Sequence, residues 1–168
     1  KEVQGFFNDA AYCDKEKFEI SADDVMNAQR SAEKIVLPGV GAFGDAAEQL
    51  RASGLDTVVI EQAKAGKPLL GICLGMQLLF DRGLEFGVHE GLGLVPGEVR
   101  PIADVIPAGL KIPHIGWNED YYFVHSYFAP IIPETTIKCC YAGVEFTAAL
   151  KRGTLTAAQF HPEKSGRL

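Results

Sequence analysis

The chain has 168 residues, 47% of them hydrophobic and 23% charged, with a formal net charge of −6. That is enough apolar material for one buried core, so a single domain spanning 1–168 is expected. An acidic balance without a concentrated basic stretch excludes nucleic-acid binding built on phosphate contacts, and no run of about eighteen apolar residues is present to cross a membrane.

The polar opening Lys1-Glu2-Val3-Gln4 does not read as a signal peptide. Cys13, Cys73, Cys139 and Cys140 lack paired C-x-x-C spacing, and the adjacent Cys139 and Cys140 would project to opposite faces of a strand. The expectation is a reducing, cytoplasmic setting with no structural disulfide, metal site or cofactor.

In chain order, Lys1 to Asn8 could be the tail of a helix, and the polar stretch from Asn8 to Glu19 has no clear assignment. Ser21 with Asp24 three residues on is a weak capping box that opens a short helix through Val25 and Met26. Lys34-Ile35-Val36-Leu37 is a buried strand that ends at Pro38-Gly39-Val40-Gly41. Helices are expected over Ala42 to Arg51 and Leu55 to Ala65, the second closed by Gly66. Lys67-Pro68-Leu69-Leu70 is a second buried strand, and Met76 to Asp81 reads as an amphipathic helix. This alternation predicts a parallel sheet covered on both faces by helices. Glycine and proline then multiply between Gly83 and Gly116. Leu92 to Val99 reads as strands broken by a turn, Tyr121 to Tyr127 and Thr136 to Tyr141 as strands. Val144 to Leu150 and Thr154 to Phe160 read as a hairpin through Lys151-Arg152-Gly153. The fold class is therefore α/β, a mostly parallel sheet flanked by helices, with an additional antiparallel part.

Between the second strand and its helix lies Gly71-Ile72-Cys73-Leu74-Gly75-Met76-Gln77, the thiol version of a nucleophile elbow. The chain must reverse sharply at Cys73, so its neighbours must be small, and Gly71 and Gly75 remove the Cβ atoms that would collide. The turn puts Cys73 at a helix N-terminus, where backbone N–H groups favour a thiolate and the Leu74 N–H can face a developing oxyanion. The same spacing also suits a buried core cysteine between two turn glycines.

A nucleophilic thiol needs a base, and the base needs an orienting group. His89, in a glycine-flanked polar loop, reads as surface decoration; His114, after Pro113, as structural or interfacial; His125 lies at a strand end. His161 is the best candidate: it also ends a strand, and Glu163 follows at a spacing of two, so that in extended backbone both side chains project to one side. Pro162 between them fixes φ and keeps the segment from becoming helical. Gly39-Val40-Gly41 forms a second loop at a strand end, able to present its N–H to an anion.

Together these stretches resemble class I glutamine amidotransferases: Gly71 to Gln77 is similar to that family's nucleophile motif and Phe160-His161-Pro162-Glu163 to its His-Glu motif. Leu37 to Gly44, Pro113 to Asn118, Tyr122 to Tyr127 and His161 to Gly166 narrow the resemblance to the glutaminase subunits of imidazole glycerol phosphate synthases. The resemblance implies a flavodoxin-like fold and a Cys73-His161-Glu163 triad that hydrolyses glutamine through a γ-glutamyl thioester. Backbone N–H groups of Leu74 and, after a loop rearrangement, Val40 would hold the oxyanion. Gly39, Gly41, Gln77, His125, Ser126 and Tyr127 would bind the substrate. Trp117, Asn118 and Tyr122 would lie near the partner, a (β/α)8-barrel cyclase that receives the ammonia in histidine biosynthesis and forms a heterodimer with the glutaminase.

Departures from that pattern are also visible. The family's opening strand and Tyr-Gly-x-Gly-Asn loop are not found before Lys34, Asn118 runs into Tyr121 without the usual loop and helix, and no terminal helix follows. An N-terminal strand, a middle loop and a C-terminal helix are thus expected to be missing from these 168 residues, which leaves exposed sheet edges. Competing readings are a glutaminase of the anthranilate or GMP synthase type, a non-catalytic scaffold that only docks a partner, and a cysteine hydrolase acting on peptides.

Overall fold

The structure is a computed structural model that describes residues 22–118 and 120–166; the readings made for Lys1 to Asn8, for Cys13 and for the Ser21 cap lie outside these residues. Helix α1 is Ala22–Ser31, strand β1 Ile35–Leu37, helix α2 Phe43–Ser53 and helix α3 Leu55–Lys64. Gly54 alone separates α2 from α3: at φ 75° it turns left-handed, and its N–H returns to Arg51 O and Leu50 O. Strand β2, Leu69–Ile72, leads into helix α4, Leu74–Leu78. Seven strands and a hairpin's worth of turns follow: β3 Phe80–Gly83, β4 His89–Glu90, β5 Val95–Pro101, β6 His114–Asn118, β7 Tyr121–His125, β8 Tyr127–Phe128 and β9 Thr135–Tyr141. The chain then forms β10, Val144–Arg152, and β11, Leu155–Ala158.

The main sheet has the order β1-β2-β11-β10-β9. β1, β2 and β11 are mutually parallel, and β10 and β9 extend them antiparallel. This arrangement positions the site. β2 and β11 run side by side in the same direction, with Ile72 level with Ala158, so what leaves one strand emerges beside what leaves the other. A smaller mixed sheet, β4-β3-β5-β8, in which β3 and β5 are parallel and the outer pairs antiparallel, and the antiparallel β6–β7 hairpin complete the fold. In that hairpin His114 stands opposite His125 and Asn118 opposite Tyr121.

One core lies between the sheet and helices α2 to α4, built from Leu50, Val59, Leu69, Met76 and Leu79 and joined by Phe80 and Val95. A second is aromatic, with Phe123, Phe128, Phe146 and Phe160 between β7, β10 and the end of β11. Phe80 and Phe123 are fully buried; each such ring contributes about 1.5–3 kcal/mol relative to leaving it in water.

Several expectations need correcting. The helix after the elbow ends at Leu78, and Phe80 already belongs to β3. A short apolar run buried on all sides has no period to separate helix from strand, and pairing with β5 decides it. Tyr121 to Tyr127 is two strands in two sheets, broken at Ser126. The hairpin strands are longer on one side and shorter on the other than read, with the turn at Gly153-Thr154. Coverage of the sheet on both faces does not hold at β1 among the described residues: Ile35 and Leu37 are buried, while Val36 between them is 57% exposed.

Candidate active site

Cys73 links β2 to α4 with φ 53° and ψ −114°, a conformation foreign to a residue with a Cβ. Such a residue costs about 1–3 kcal/mol and persists only where its surroundings over-determine it. They do so here. Cys73 N donates to Ala158 O (2.8 Å), tying the turn to β11, and Gln77 N donates to Cys73 O (3.2 Å) as the helix begins. On one side a Cβ at Gly71 would lie 2.9–3.0 Å from Leu79 Cδ1, Gly75 O and Met76 Cα. On the other, a Cβ at Gly75 would run into the backbone carbonyl of Leu37. Gly71 thus lets the strand close against its own helix, and Gly75 lets the elbow pack directly onto the end of β1.

His161 leaves the neighbouring strand at the same end of the sheet. Its backbone is stapled to β7: His161 N donates to Tyr122 O (3.0 Å), Ser165 Oγ donates to His161 O (2.7 Å), and Tyr122 N donates to Ser165 Oγ (3.1 Å). Between them Pro162–Lys164 form one 3-10 turn that returns Glu163 toward the ring. This corrects the extended segment expected there: at the first position of a turn the N–H that proline lacks is not needed, so Pro162 starts the turn instead of preventing it. Glu163 Oε1 lies 2.8 Å from His161 Nδ1. A carboxylate only accepts, so Nδ1 carries the hydrogen and Nε2 keeps the free lone pair a general base needs. Partial burial pushes the Glu163 carboxyl up, but its own backbone N–H, the His161 hydrogen bond and the nearby charges of His161 and Lys164 outweigh this and hold it below the usual range.

Cys73 and His161 open onto one cavity of about 330 Å³, near the small end of the roughly 300–1,000 Å³ typical of small-molecule sites. Val40, Gly41, Leu74, Gln77, His125, Ser126 and Tyr127 also line it. Gly39 is not among the lining residues; it packs beneath, where a Cβ would meet Gly75 N and Leu74 Cβ at 3.2 Å. Sγ of Cys73 donates to Val124 O (3.9 Å) and receives Gln159 Nε2 (3.8 Å). Burial raises the thiol above its ordinary value and the Glu163 charge adds to this, while the Leu74 N–H and the Lys164 charge act in the opposite sense.

The side chains of Gln77 and His125 are engaged within the protein. Gln77 Nε2 donates to Tyr127 O (3.1 Å) and Gln159 Oε1 (2.9 Å). His125 Nδ1 lies 2.9 Å from Tyr127 O, so it is the donor there, and Nε2 must then accept from His114 Nδ1, also 2.9 Å away. Burial among Phe123, Phe146 and His114 lowers His125 to about 4, keeping it neutral. His114, read as structural or interfacial, is a buried member of this pair. Trp117 is 59% exposed on the hairpin beside the His161 turn and meets Tyr122 edge-on at 6.0 Å. Asn118 Nδ2 donates to Cys140 O (2.9 Å).

Sequence reasoning missed Glu85, Lys164, Ser165 and Gln159. Glu85 lines the cavity and also caps α2, where its Oε2 accepts the Phe43 N–H (2.6 Å). Lys164 brings a cation to the same cavity. Lys164 lies in the His161 to Gly166 stretch that carries the resemblance, yet nothing local marks it as facing the thiol; Glu85 has no such signal, and only packing brings it to the cavity that Cys73 lines. A more open hollow of about 620 Å³ between α2 and β4 shares no residue with this cavity, and no thiol or hydroxyl lines it.

A strained thiol beside an oriented imidazole, with a helix N-terminus for an oxyanion and opposite charges on the walls, is equipped for acyl transfer on a small zwitterion. The family model for glutamine amidotransferase class-I matches residues 10–168, and the chain belongs to that family. Its relatives include the imidazole glycerol phosphate synthase subunit HisH of Rhodopirellula baltica, 47% identical over 152 residues, covering 80% of this chain and 73% of that protein. HisH of Lacticaseibacillus casei is 44% identical over 154 residues (82% and 73%), and HisH of Wolinella succinogenes 45% over 153 (79% and 74%). The fold also matches a solved glutamine amidotransferase with a TM-score of 0.64 at 16% identity, over 87% of this chain and 77% of that one.

Proposed function

We propose that this chain is the glutaminase subunit of an imidazole glycerol phosphate synthase, hydrolysing glutamine to glutamate and ammonia for a (β/α)8-barrel cyclase partner in histidine biosynthesis. Identity of 44–47% to HisH proteins supports the branch of the family, and the shared end of β2 and β11 is the single observation that carries the chemistry. Cys73 gives its proton to His161 Nε2 and attacks the side-chain carbonyl carbon of glutamine. The oxyanion rests on the Leu74 N–H and, once the Gly39-Val40-Gly41 loop has turned, on that of Val40. Collapse returns the proton from His161 to the leaving nitrogen, releasing ammonia and a thioester. Water, deprotonated by His161, then cleaves the thioester to glutamate. Glu163 holds the imidazole tautomer throughout.

Gly41, Gln77 and the His125-Ser126-Tyr127 backbone line the substrate's seat, with Glu85 suited to the α-ammonium group. Gly39 acts from below by letting the oxyanion loop lie against the elbow. Trp117, Asn118 and Tyr122 form the surface that faces the cyclase, and the whole chain works as one amidotransferase domain in the reducing cytoplasm, where its thiol stays active. No helix of the described residues is long and apolar enough to cross a membrane.

The test is Cys73→Ala in the complex with its cyclase. Glutamine-dependent turnover is expected to vanish while turnover driven by ammonium salts persists. Loss of both, or retention of glutamine hydrolysis, would place the chemistry elsewhere.

A further inference from the structure

Gln159 is the first residue after β11, fully buried, and held by its backbone N–H to Ala148 O (2.8 Å). A buried carboxamide must satisfy its donors and its acceptor inside the protein. Gln159 has Gln77 Nε2 at 2.9 Å from its oxygen and Cys73 Sγ at 3.8 Å from its nitrogen. Which end of an amide is which follows from the network, and here the network has one solution. Tyr127 O can only accept, so the end of Gln77 that faces it is the NH2 group. That same NH2 group faces Gln159, so the atom of Gln159 that meets it is the oxygen. The remaining end of Gln159, its NH2, then points at the sulfur. A flipped Gln159 would set two donors against each other in a dry interior.

We propose that Gln159 is a positioning residue for the nucleophile: its carboxamide, oriented by Gln77, donates an N–H to Cys73 Sγ and favours the thiolate over the thiol. The inference rests on Cys73 being the nucleophile. It gives Gln77 a second role, since a residue lining the substrate's seat also sets the hydrogen bonding of the sulfur through one intermediary. Burial opposes ionisation of Cys73, and the elbow's own helix is short, so an N–H from the residue just after β11 adds to that of Leu74. The sulfur meanwhile directs its own proton to Val124 O. Ionisation frees that proton and leaves Gln159 as a donor already in place.

The experiment measures the alkylation rate of Cys73 by iodoacetamide against pH, in the full chain without glutamine, by mass spectrometry of the Cys73 peptide. Gln159→Met keeps side-chain length and removes both donors. Its alkylation midpoint is expected to rise by about one pH unit, which slows the reaction about tenfold at any pH well below the midpoint. Gln77→Met, which frees Gln159 to flip, is expected to shift the midpoint in the same direction. Profiles that superimpose on the wild type overturn the role of Gln159, and a shift in Gln159→Met with none in Gln77→Met overturns the orienting role of Gln77. Should Gln159→Met not fold, as a thermal melt reports, Gln159→Asn draws the amide back by one methylene and is held to the same shift. Glutamine protection of wild-type Cys73 from alkylation is read in parallel. Its absence would sink the nucleophile reading itself, whereas protection with unmoved profiles would sink only the proposal made for Gln159.

Discussion

Gly75→Ala is the substitution that most directly tests how the elbow is built. Two opposing effects act on it. Gly75 lies within α4, and alanine is favoured over glycine inside a helix by about 1 kcal/mol. Against this, the new Cβ would fall on the Leu37 carbonyl oxygen, with Leu37 C at 2.7 Å and Pro38 C at 3.3 Å. All three atoms are backbone at the end of β1, so no side chain can swing aside. Overpacking against a rigid wall costs about 3 kcal/mol or more, and the clash wins. For a chain of this size each kcal/mol lowers Tm by about 2–4 °C. The net loss of about 2 kcal/mol or more therefore corresponds to a fall of at least about 4–8 °C. The strand end and the elbow must separate, which turns Cys73 out of its strained φ of 53°. Thermal melts by circular dichroism give the first quantity, and the iodoacetamide rate at Cys73 the second. A variant as stable as the wild type, or more so, with unchanged thiol reactivity would mean that α4 does not press on β1, and the account of the elbow would be wrong.

The other predictions concern the histidines and their supports. Ser165→Ala removes both the donor to His161 O and the acceptor for Tyr122 N; a loss of about 1–3 kcal/mol is expected, with kcat for glutamine falling more than KM rises. Unchanged kcat in a destabilised variant would show that this staple holds the fold but not the imidazole. His125 titrates near 4 when folded against an ordinary 6.5, so on acidification the unfolded chain takes up its proton first. Stability should be full above pH 6.5, decline as pH falls from 6.5 to about 4, and then show no further His125 contribution. The total is about 3 kcal/mol, and burial of His114, which lowers it too, acts with the same sign. Urea melts across that range measure it, and a flat profile would contradict the buried neutral pair. The Cys73→Ala and Gln159→Met experiments complete the set.

The local rules written in the chain fixed some parts of this protein without any tertiary information. Gly71 and Gly75 about Cys73 can be read as an elbow because a sharp reversal forbids Cβ atoms at those places, and this requirement is local. Glu163 two residues after His161 can be read as a candidate orienter from spacing alone, but the two meet across a 3-10 turn opened by Pro162 and not along the extended backbone that reading assumed. The resemblance to class I amidotransferases followed from such short stretches, and the match over residues 10–168 agrees with it.

Other parts could only be decided by folding. That β11 lies against β2, and so brings His161 beside Cys73, depends on sheet pairing between segments far apart in sequence. Glu85 reaches Phe43 N and the cavity, Ser165 reaches Tyr122, and Gln159 lies between Gln77 and Cys73. His125 looked like a strand-end histidine facing a ligand, yet the hairpin register places it opposite His114 and buries both. In each case the partner is many residues away, and a hydrogen bond or a buried ring leaves no periodic trace in the chain that supplies it. Spacing along the backbone marked the candidate nucleophile and candidate base; proximity across strands decided what holds them and which charges surround them.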